Sequence, residues 1–300
     1  SWQSPAADPV TDTVVFPTGN AAPMFNGMAR PGPNKHTNAV MAFDATSGER
    51  KWTFQLSPHD WWDYDTDTTP RILSVEVEGE ETRAVSVEGK TGWSFLLDVE
   101  TGKLLERSEP YAQQGTDEVP FMSIPPKGEE NAKAITPTGM GATDWPTDSY
   151  SPKTGLLYIG ANDEGSDMWW EPYEYDNTVI EPNTGGGTGP TDGIPPEDQG
   201  SYIAAVDPAS GELKWRTEYM DMWPPAGSAG GTRATGGNLV FGASVGGSLV
   251  ALDAETGERL WMDDTGEFIG GGHPVIWDDP QEDKQFVAVN AAGKMLVYSN

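Results

Sequence analysis

Cysteine is absent from the 300-residue chain, and basic residues are scarce. Without cysteine there is no disulfide bond, no thiolate metal site and no cysteine nucleophile. Only 18 lysines and arginines oppose 47 aspartates and glutamates, which gives a net charge of −29. No basic stripe is available for nucleic acid or for an anionic membrane surface, so neither partner is predicted. Because salt screens such self-repulsion, the charge predicts a protein adapted to a high-salt environment.

Long apolar runs are also missing. No stretch of 18 or more apolar residues occurs, so the sequence predicts no membrane-spanning helix. Glycine, proline and tryptophan are abundant instead, with 36, 25 and 12 copies. Glycine and proline favour turns, and tryptophan provides large packing groups, a profile typical of all-β proteins.

One hairpin recurs four times along the chain. Each copy has an apolar strand that ends at an Asp, a Gly four residues later, and a second strand that reaches a Trp eight residues after the Asp. Leu105 replaces that Trp in the second copy. Asp accepts turn hydrogen bonds and Gly adopts positive φ, which predicts a tight hairpin. The copies are AFDATSGERKW (42–52), FLLDVETGKLL (95–105), AAVDPASGELKW (204–215) and VALDAETGERLW (250–261).

The spacing of these hairpins predicts the architecture. Their aspartates are 54, 109 and 46 residues apart, so the long gap is expected to hold two units. A period near 50 residues with four short strands per unit is typical of a β-propeller blade. The sequence predicts one partial propeller domain over residues 1–300, with about five blades and long inter-strand loops at 112–136 and 174–200. Trp52, Trp215 and Trp261 are expected to be buried between neighbouring blades.

Residues 57–67, SPHDWWDYDTD, crowd four carboxylates and two tryptophans into eleven positions. Asp is a poor strand former and like charges repel, so folding alone does not favour this composition. A metal ion or a proton-transfer step would use the acids. Alternatively, they are solvated acids on a very acidic surface.

The order TGN (18–20), RPG (30–32), DATSGERKW (44–52) and PHDWWDYD (58–65) resembles the quinoprotein alcohol dehydrogenases. These are eight-bladed propellers that use pyrroloquinoline quinone and a metal, and this chain resembles their second half. The resemblance implies oxidation of an alcohol or small polyol, with electrons passed to a cytochrome or similar acceptor. It also implies a periplasmic, cell-surface or extracellular location. The remaining blades would come from a missing N-terminal half or from a second chain.

The resemblance also implies a metal site. Asn20 would offer its side-chain carbonyl to the metal, and Asp63 would be both a metal ligand and the catalytic base. Asp65 lies two positions after Asp63, where family members that use lanthanides carry a second Asp, so the metal is a lanthanide or Ca²⁺. Hard cations prefer oxygen ligands, and side chains at i and i+2 of an extended segment face one way. The alternatives are a turn residue at Asn20 and solvated acids at the other two positions.

Three further residues correspond to positions that contact the quinone. Trp2 lies where the family places an indole under the quinone ring, and Lys90 lies at the basic position beside the quinone oxygens. The family segment WGGT corresponds to AGGT at 229–232, and Trp223 lies six residues before its alanine. Core packing at Trp2 and a surface charge at Lys90 are the alternatives. The rival function is a non-catalytic propeller that serves as a binding or assembly scaffold.

Overall fold

The computed structural model describes residues 3–66, 68–115, 124–174, 184–195, 198–219, 230–269, 272–281 and 284–299. These parts of the chain include 22 β-strands, and 3₁₀ turns lie at Gly27–Ala29 and Glu129–Asn131. No α-helix occurs in the described residues, so the predicted all-β propeller fold is confirmed. The same residues contain no helix of the length and apolarity needed to cross a bilayer.

Five of the six sheets are propeller blades, and strands that are neighbours in a blade pair antiparallel. Blade one contains β1 (Ala6–Asp8), β2 (Thr13–Pro17), β3 (Ala39–Asp44) and β4 (Arg50–Gln55). Blade two contains β5 (Arg71–Val77), β6 (Glu80–Val87), β7 (Phe95–Asp98) and β8 (Leu104–Arg107).

The remaining strands form three further blades and one small sheet. Blade three contains β10 (Ser149–Ser151), β11 (Leu156–Asp163), β14 (Gly200–Val206) and β15 (Leu213–Glu218). Blade four contains β16 (Thr232–Ala234), β17 (Leu239–Ala243), β18 (Ser248–Asp253) and β19 (Arg259–Asp264). Blade five has three described strands, β20 (Val275–Asp279), β21 (Lys284–Ala291) and β22 (Lys294–Ser299). The small sheet pairs β12 (Ser166–Trp170) with β9 (Lys133–Ile135) and β13 (Gly186–Gly189).

The small sheet explains the long gap between the second and third hairpins. That gap holds one blade, not two, because β9, β12 and β13 leave blade three and pair with one another. Strands β9 and β13 fall inside the segments predicted as loops at 112–136 and 174–200. A strand of sequence GGTG has three glycines and a single β-branched residue, Thr188, so composition does not reveal it.

The four hairpins have the same turn, and two of them contact a tryptophan of the preceding blade. Gly102, with φ +68°, lies so close to Trp52 that an added Cβ would be 2.5 Å from the indole ring. Gly257, with φ +73°, lies against Trp215 in the same way, with a distance of 2.6 Å. At these two positions the hairpin glycine therefore has two functions: it permits the turn and it leaves room for the indole of the preceding blade.

Burial of the predicted tryptophans falls along the chain. Trp52 is 8% exposed and its Nε1 donates to the Val99 carbonyl at 3.0 Å, whereas Trp215 is only half-buried. The expectation for Trp261 is wrong, because it is 39% exposed. Its ring packs edge-to-face against Tyr298 of β22, with the ring centroids 5.2 Å apart, and this contact leaves part of the indole exposed.

The repeat position was also misassigned in blade two. Glu106 pairs with Leu96 across β7 and β8, as Trp52 pairs with Ala42 across β3 and β4. Glu106, and not Leu105, therefore takes the place of the tryptophan. A β-bulge in all four hairpins keeps this register.

Candidate active site

The segment DWWDYD leaves β4 and turns around a buried carboxylate. Asp60 is 1% exposed, and its Oδ2 accepts the backbone N–H groups of Asp63 at 3.0 Å and Tyr64 at 3.2 Å. Its Oδ1 accepts the N–H of Trp62 at 3.2 Å. Burial raises the pKa of Asp60 to about 6, although these hydrogen bonds and the Arg30 charge oppose the shift. Asp60 therefore shapes the turn, a role that the sequence did not predict.

The turn presents the carboxylates of Asp63 and Asp65 to one ammonium group. Lys90 Nζ lies 2.7 Å from Asp65 Oδ2 and 3.1 Å from Asp63 Oδ2. Both Lys90 and Asp65 are buried. Burial lowers the pKa of Lys90, but the charges of Asp63, Asp144 and Asp65 outweigh it, so the net shift is upward and the lysine is cationic.

Asp63 has two unusual features. Its backbone has φ +66°, in the left-handed region that is uncommon for a residue with a side chain. Its Oδ1 is buried and has no hydrogen-bond partner in the described part of the protein. Burial raises the pKa of Asp63 to about 7, opposed by the Lys90 charge. A strained residue with an unpaired buried acceptor is typical of a binding or catalytic position.

Comparison with known proteins shows what the chain is similar to. Residues 1–112 match the β-propeller domain of glucose, ethanol and alcohol dehydrogenases (PQQ), and residues 199–298 match the outer membrane protein assembly factor BamB. The quinoprotein alcohol dehydrogenase PedH of Pseudomonas putida is 32% identical over 96% of this chain. The chain is thus similar to quinoprotein alcohol dehydrogenases over nearly its whole length.

Two further relatives show the same similarity. The lanthanide-dependent methanol dehydrogenase of Methylorubrum extorquens is 29% identical over 96% of the chain. A europium-containing methanol dehydrogenase superposes with a TM-score of 0.84 at 25% identity over 96% of the chain. The chain spans only about half of these proteins, 48% of PedH, 49% of the M. extorquens enzyme and 50% of the europium enzyme.

Four of the six predicted site residues lie together in this propeller. The backbone N–H of Asn20, three residues after β2, donates to Asp65 Oδ1, so the TGN and WDYD segments meet. Lys90, after β6, joins them through its ion pairs with Asp63 and Asp65. Trp2 and Trp223, predicted to contact the quinone, lie outside the described residues.

The site does not contain a complete set of acidic metal ligands from this chain. No group of three or more His, Cys, Asp or Glu side chains in the described ranges is arranged to hold a metal ion. The described contacts bring together the carboxylates of Asp63 and Asp65 and the backbone of Asn20, with one oxygen of Asp63 unpaired. This donor set fits a shared oxygen site for a hard cation, completed by ligands from elsewhere.

A second ionic cluster is centred on Glu88, two residues before Lys90, and was not predicted from the sequence. Arg71 Nη1 lies 2.9 Å from Glu88 Oε2, and its Nε donates to the Asp148 carbonyl at 3.0 Å. The Glu88 side chain also accepts the hydroxyl of Ser94 at 3.0 Å. These contacts tie blade two to the segment that enters blade three and fix the backbone leading to Lys90. No local motif marks them, because the partners are distant in sequence.

Proposed function

We propose that this chain forms the metal- and quinone-binding half of a PQQ-dependent alcohol dehydrogenase, with an alcohol or small polyol as substrate. The single observation that carries the proposal is the pairing of the buried Lys90 with Asp63 and Asp65, with the buried Asp63 Oδ1 unpaired. All three residues, with Asn20, lie inside the region that matches the PQQ domain. The relatives named for alcohol or methanol oxidation support the substrate class.

The charge of the site supports a multivalent cation. One ammonium group faces the buried carboxylate of Asp65 and the partly buried carboxylate of Asp63, so the two carboxylates retain negative charge that a bound cation would neutralise. Asp63 Oδ1, Asp65 and the side-chain oxygen of Asn20 are hard ligands suited to Ca²⁺ or a lanthanide. The second carboxylate favours the lanthanide, because each added negative charge gains more Coulomb energy against a triply charged ion. Two relatives are named for a lanthanide and for europium.

Each residue then has a defined role in alcohol oxidation. Pyrroloquinoline quinone, when bound, accepts the hydride from the alcohol carbon. Asp63 takes the proton of the alcohol hydroxyl, and its buried position holds the carboxylate beside the reacting group. Lys90 remains cationic and stabilises negative charge that develops on nearby oxygens. Asp60 keeps the turn fixed, so that Asp63 keeps its orientation.

The other half of the ring, a cytochrome-like electron acceptor and an exported location are part of the same proposal. The half-length match to the relatives supports the first of these. The scaffold alternative is supported by the match of residues 199–298 to an assembly factor. The region of that match does not contain the candidate site, because the site residues all precede residue 112. They are Asn20, Asp63, Asp65 and Lys90. The geometry therefore favours the enzyme.

The test is dye-linked alcohol oxidation after reconstitution of the assembled protein with PQQ and either Ca²⁺ or La³⁺. Asp63→Asn should reduce the rate by about 100-fold or more with both metals, because the base is lost. Asp65→Ala should reduce the La³⁺-dependent rate by about 10-fold or more and the Ca²⁺-dependent rate much less. The exposed acid Glu49 provides the control, and Glu49→Gln should change neither rate. Absence of PQQ binding by the assembled wild-type protein would favour the scaffold function instead.

A further inference from the structure

A third carboxylate faces the Lys90 ammonium group. Asp144 Oδ2 lies 3.7 Å from Lys90 Nζ, compared with 2.7 Å for Asp65 and 3.1 Å for Asp63. The Asp144 side chain is 2% exposed. This separation is a longer ion pair, outside hydrogen-bond distance. Asp144 is therefore a third carboxylate whose charge acts on Lys90, beside Asp63 and Asp65.

The loop that carries Asp144 is held firmly against Lys90. The N–H of Ala142 donates to the Lys90 carbonyl at 3.0 Å, and Asn162 of β11 donates its N–H to the Ala142 carbonyl at 2.9 Å. Asn162 Nδ2 also donates to the Gly141 carbonyl at 3.0 Å. Gly141, with φ +76°, lies so close that an added Cβ would be 2.3 Å from Lys90 Cβ. The approach of Asp144 to Lys90 is therefore fixed by blade three.

Binding of a cation would disturb the present position of Lys90. The ammonium group occupies Oδ2 of both Asp63 and Asp65, and a cation on the same carboxylates would lie within a few ångströms of it. Like charges at that distance repel each other, and the repulsion rises with the charge of the ion. The four-carbon stem of lysine allows its ammonium group to move by rotation.

We propose that Asp144 is a positioning residue that receives the Lys90 ammonium group when a cation occupies Asp63 and Asp65. The inference rests on the metal site proposed above. A movement of about 1 Å converts the 3.7 Å separation into a charge-assisted hydrogen bond. Lys90 then keeps a partner of opposite charge, and its other two N–H groups stay available to neighbouring oxygens. Asp144 also limits how much the lysine opposes metal binding.

The first test needs no metal. In Asp63→Asn/Asp65→Asn, the two present partners are neutral, and Asp144 is the remaining charged partner of Lys90. A crystal structure of this variant should show Lys90 Nζ about 2.8 Å from Asp144 Oδ2, the length of a charge-assisted hydrogen bond. A lysine that stays between the two amides, or that turns to solvent, would overturn the proposal.

The second test is a double-mutant cycle on Tb³⁺ affinity, measured by luminescence sensitised by the nearby Trp61 and Trp62. Asp144→Asn should weaken Tb³⁺ binding by about 10-fold while Lys90 is present, a coupling typical of residues in contact. In a Lys90→Met background the same change should have an effect of less than about 3-fold, because no ammonium group has to move. An equal loss of Tb³⁺ affinity in both backgrounds would make Asp144 a direct ligand or a simple electrostatic contributor. No loss of affinity in either background would make its role structural. Each of these results overturns the proposal.

A matched control and a separate failure mode complete the design. Asp8→Asn changes another buried aspartate, paired with Arg83 and not with Lys90, and should leave Tb³⁺ affinity unchanged. If Asp63→Asn/Asp65→Asn does not weaken Tb³⁺ binding, the proposed metal site is wrong. That outcome differs from failure of Asp144 alone, in which Tb³⁺ still requires the two aspartates but the cycle shows no coupling.

Discussion

Alanine substitutions of the hairpin glycines can measure how strongly an indole–glycine contact joins neighbouring blades. Gly102 and Gly48 occupy the same hairpin position and have φ of +68° and +74°. An added Cβ at Gly48 meets no atom within 4 Å, whereas at Gly102 it lies 2.5 Å from the Trp52 ring. Substitution by alanine therefore imposes a similar backbone strain at both positions but a steric clash at only one.

The expected magnitudes follow from these two contributions. A left-handed conformation costs a residue with a Cβ about 1–2 kcal/mol. At Gly102 the indole must also shift by roughly 1 Å from its site between the blades, and such overpacking costs about 1–3 kcal/mol. Gly48→Ala should thus lower the free energy of unfolding by about 1–2 kcal/mol, and Gly102→Ala by about 2–5 kcal/mol.

Urea denaturation followed by circular dichroism measures both changes. Adding Trp52→Ala tests the cause, because in that background Gly102→Ala should cost no more than Gly48→Ala does. Equal losses for the two glycine variants in the wild-type background would show that the turn conformation alone determines the cost. The role of the indole–glycine contact in joining the blades would then be refuted.

Two further predictions concern burial and charge. Trp52→Ala should lower the free energy of unfolding by about 3–5 kcal/mol. Trp261→Ala removes a side chain that is 39% exposed and should lower it by about 1 kcal/mol. Equal losses would contradict the difference in burial between the two tryptophans. Burial raises the pKa of Asp148 from 3.8 to about 8, opposed by the Arg71 charge, so the folded state binds more protons than the unfolded state between those values. Stability should therefore fall as the pH rises from about 4 to about 8, and Asp148→Asn should reduce that fall, as measured by thermal unfolding across the range; an unchanged slope would contradict the shift.

Repeats made the fold predictable from sequence to a considerable depth. The Asp–Gly spacing located all four hairpins, because turn chemistry is local and each copy repeats the same turn. Blade membership was less accessible in the 109-residue interval. There the chain forms β9, β12 and β13 outside the blades, and pairing between residues as distant as Ser166 and Ile135 leaves no local signal. Glu106 could have been located from the sequence, since it is eight residues after Asp98, as Trp52 is after Asp44.

The candidate site was predictable only where a motif carried it. Asp63, Asp65 and Lys90 were found because their surroundings match a family, and the structure places them in contact. Asp60 and Asp144 were not predicted as site residues from a sequence motif. Their importance depends on burial and on contacts with residues far along the chain, which sequence composition does not encode.

Lys90 accounts for how an acidic protein keeps such a site folded before any cation binds. Asp63, Asp65 and Asp144 would repel one another in a buried space if nothing positive lay among them. The buried ammonium group lies within 4 Å of all three carboxylates, so it neutralises part of their charge. An arginine would present a wider planar group, whereas the compact ammonium group can exchange one carboxylate for another with a small movement. A lysine at this position therefore suits the proposed cation site, which has to be stable when empty and has to release its carboxylates when a cation binds.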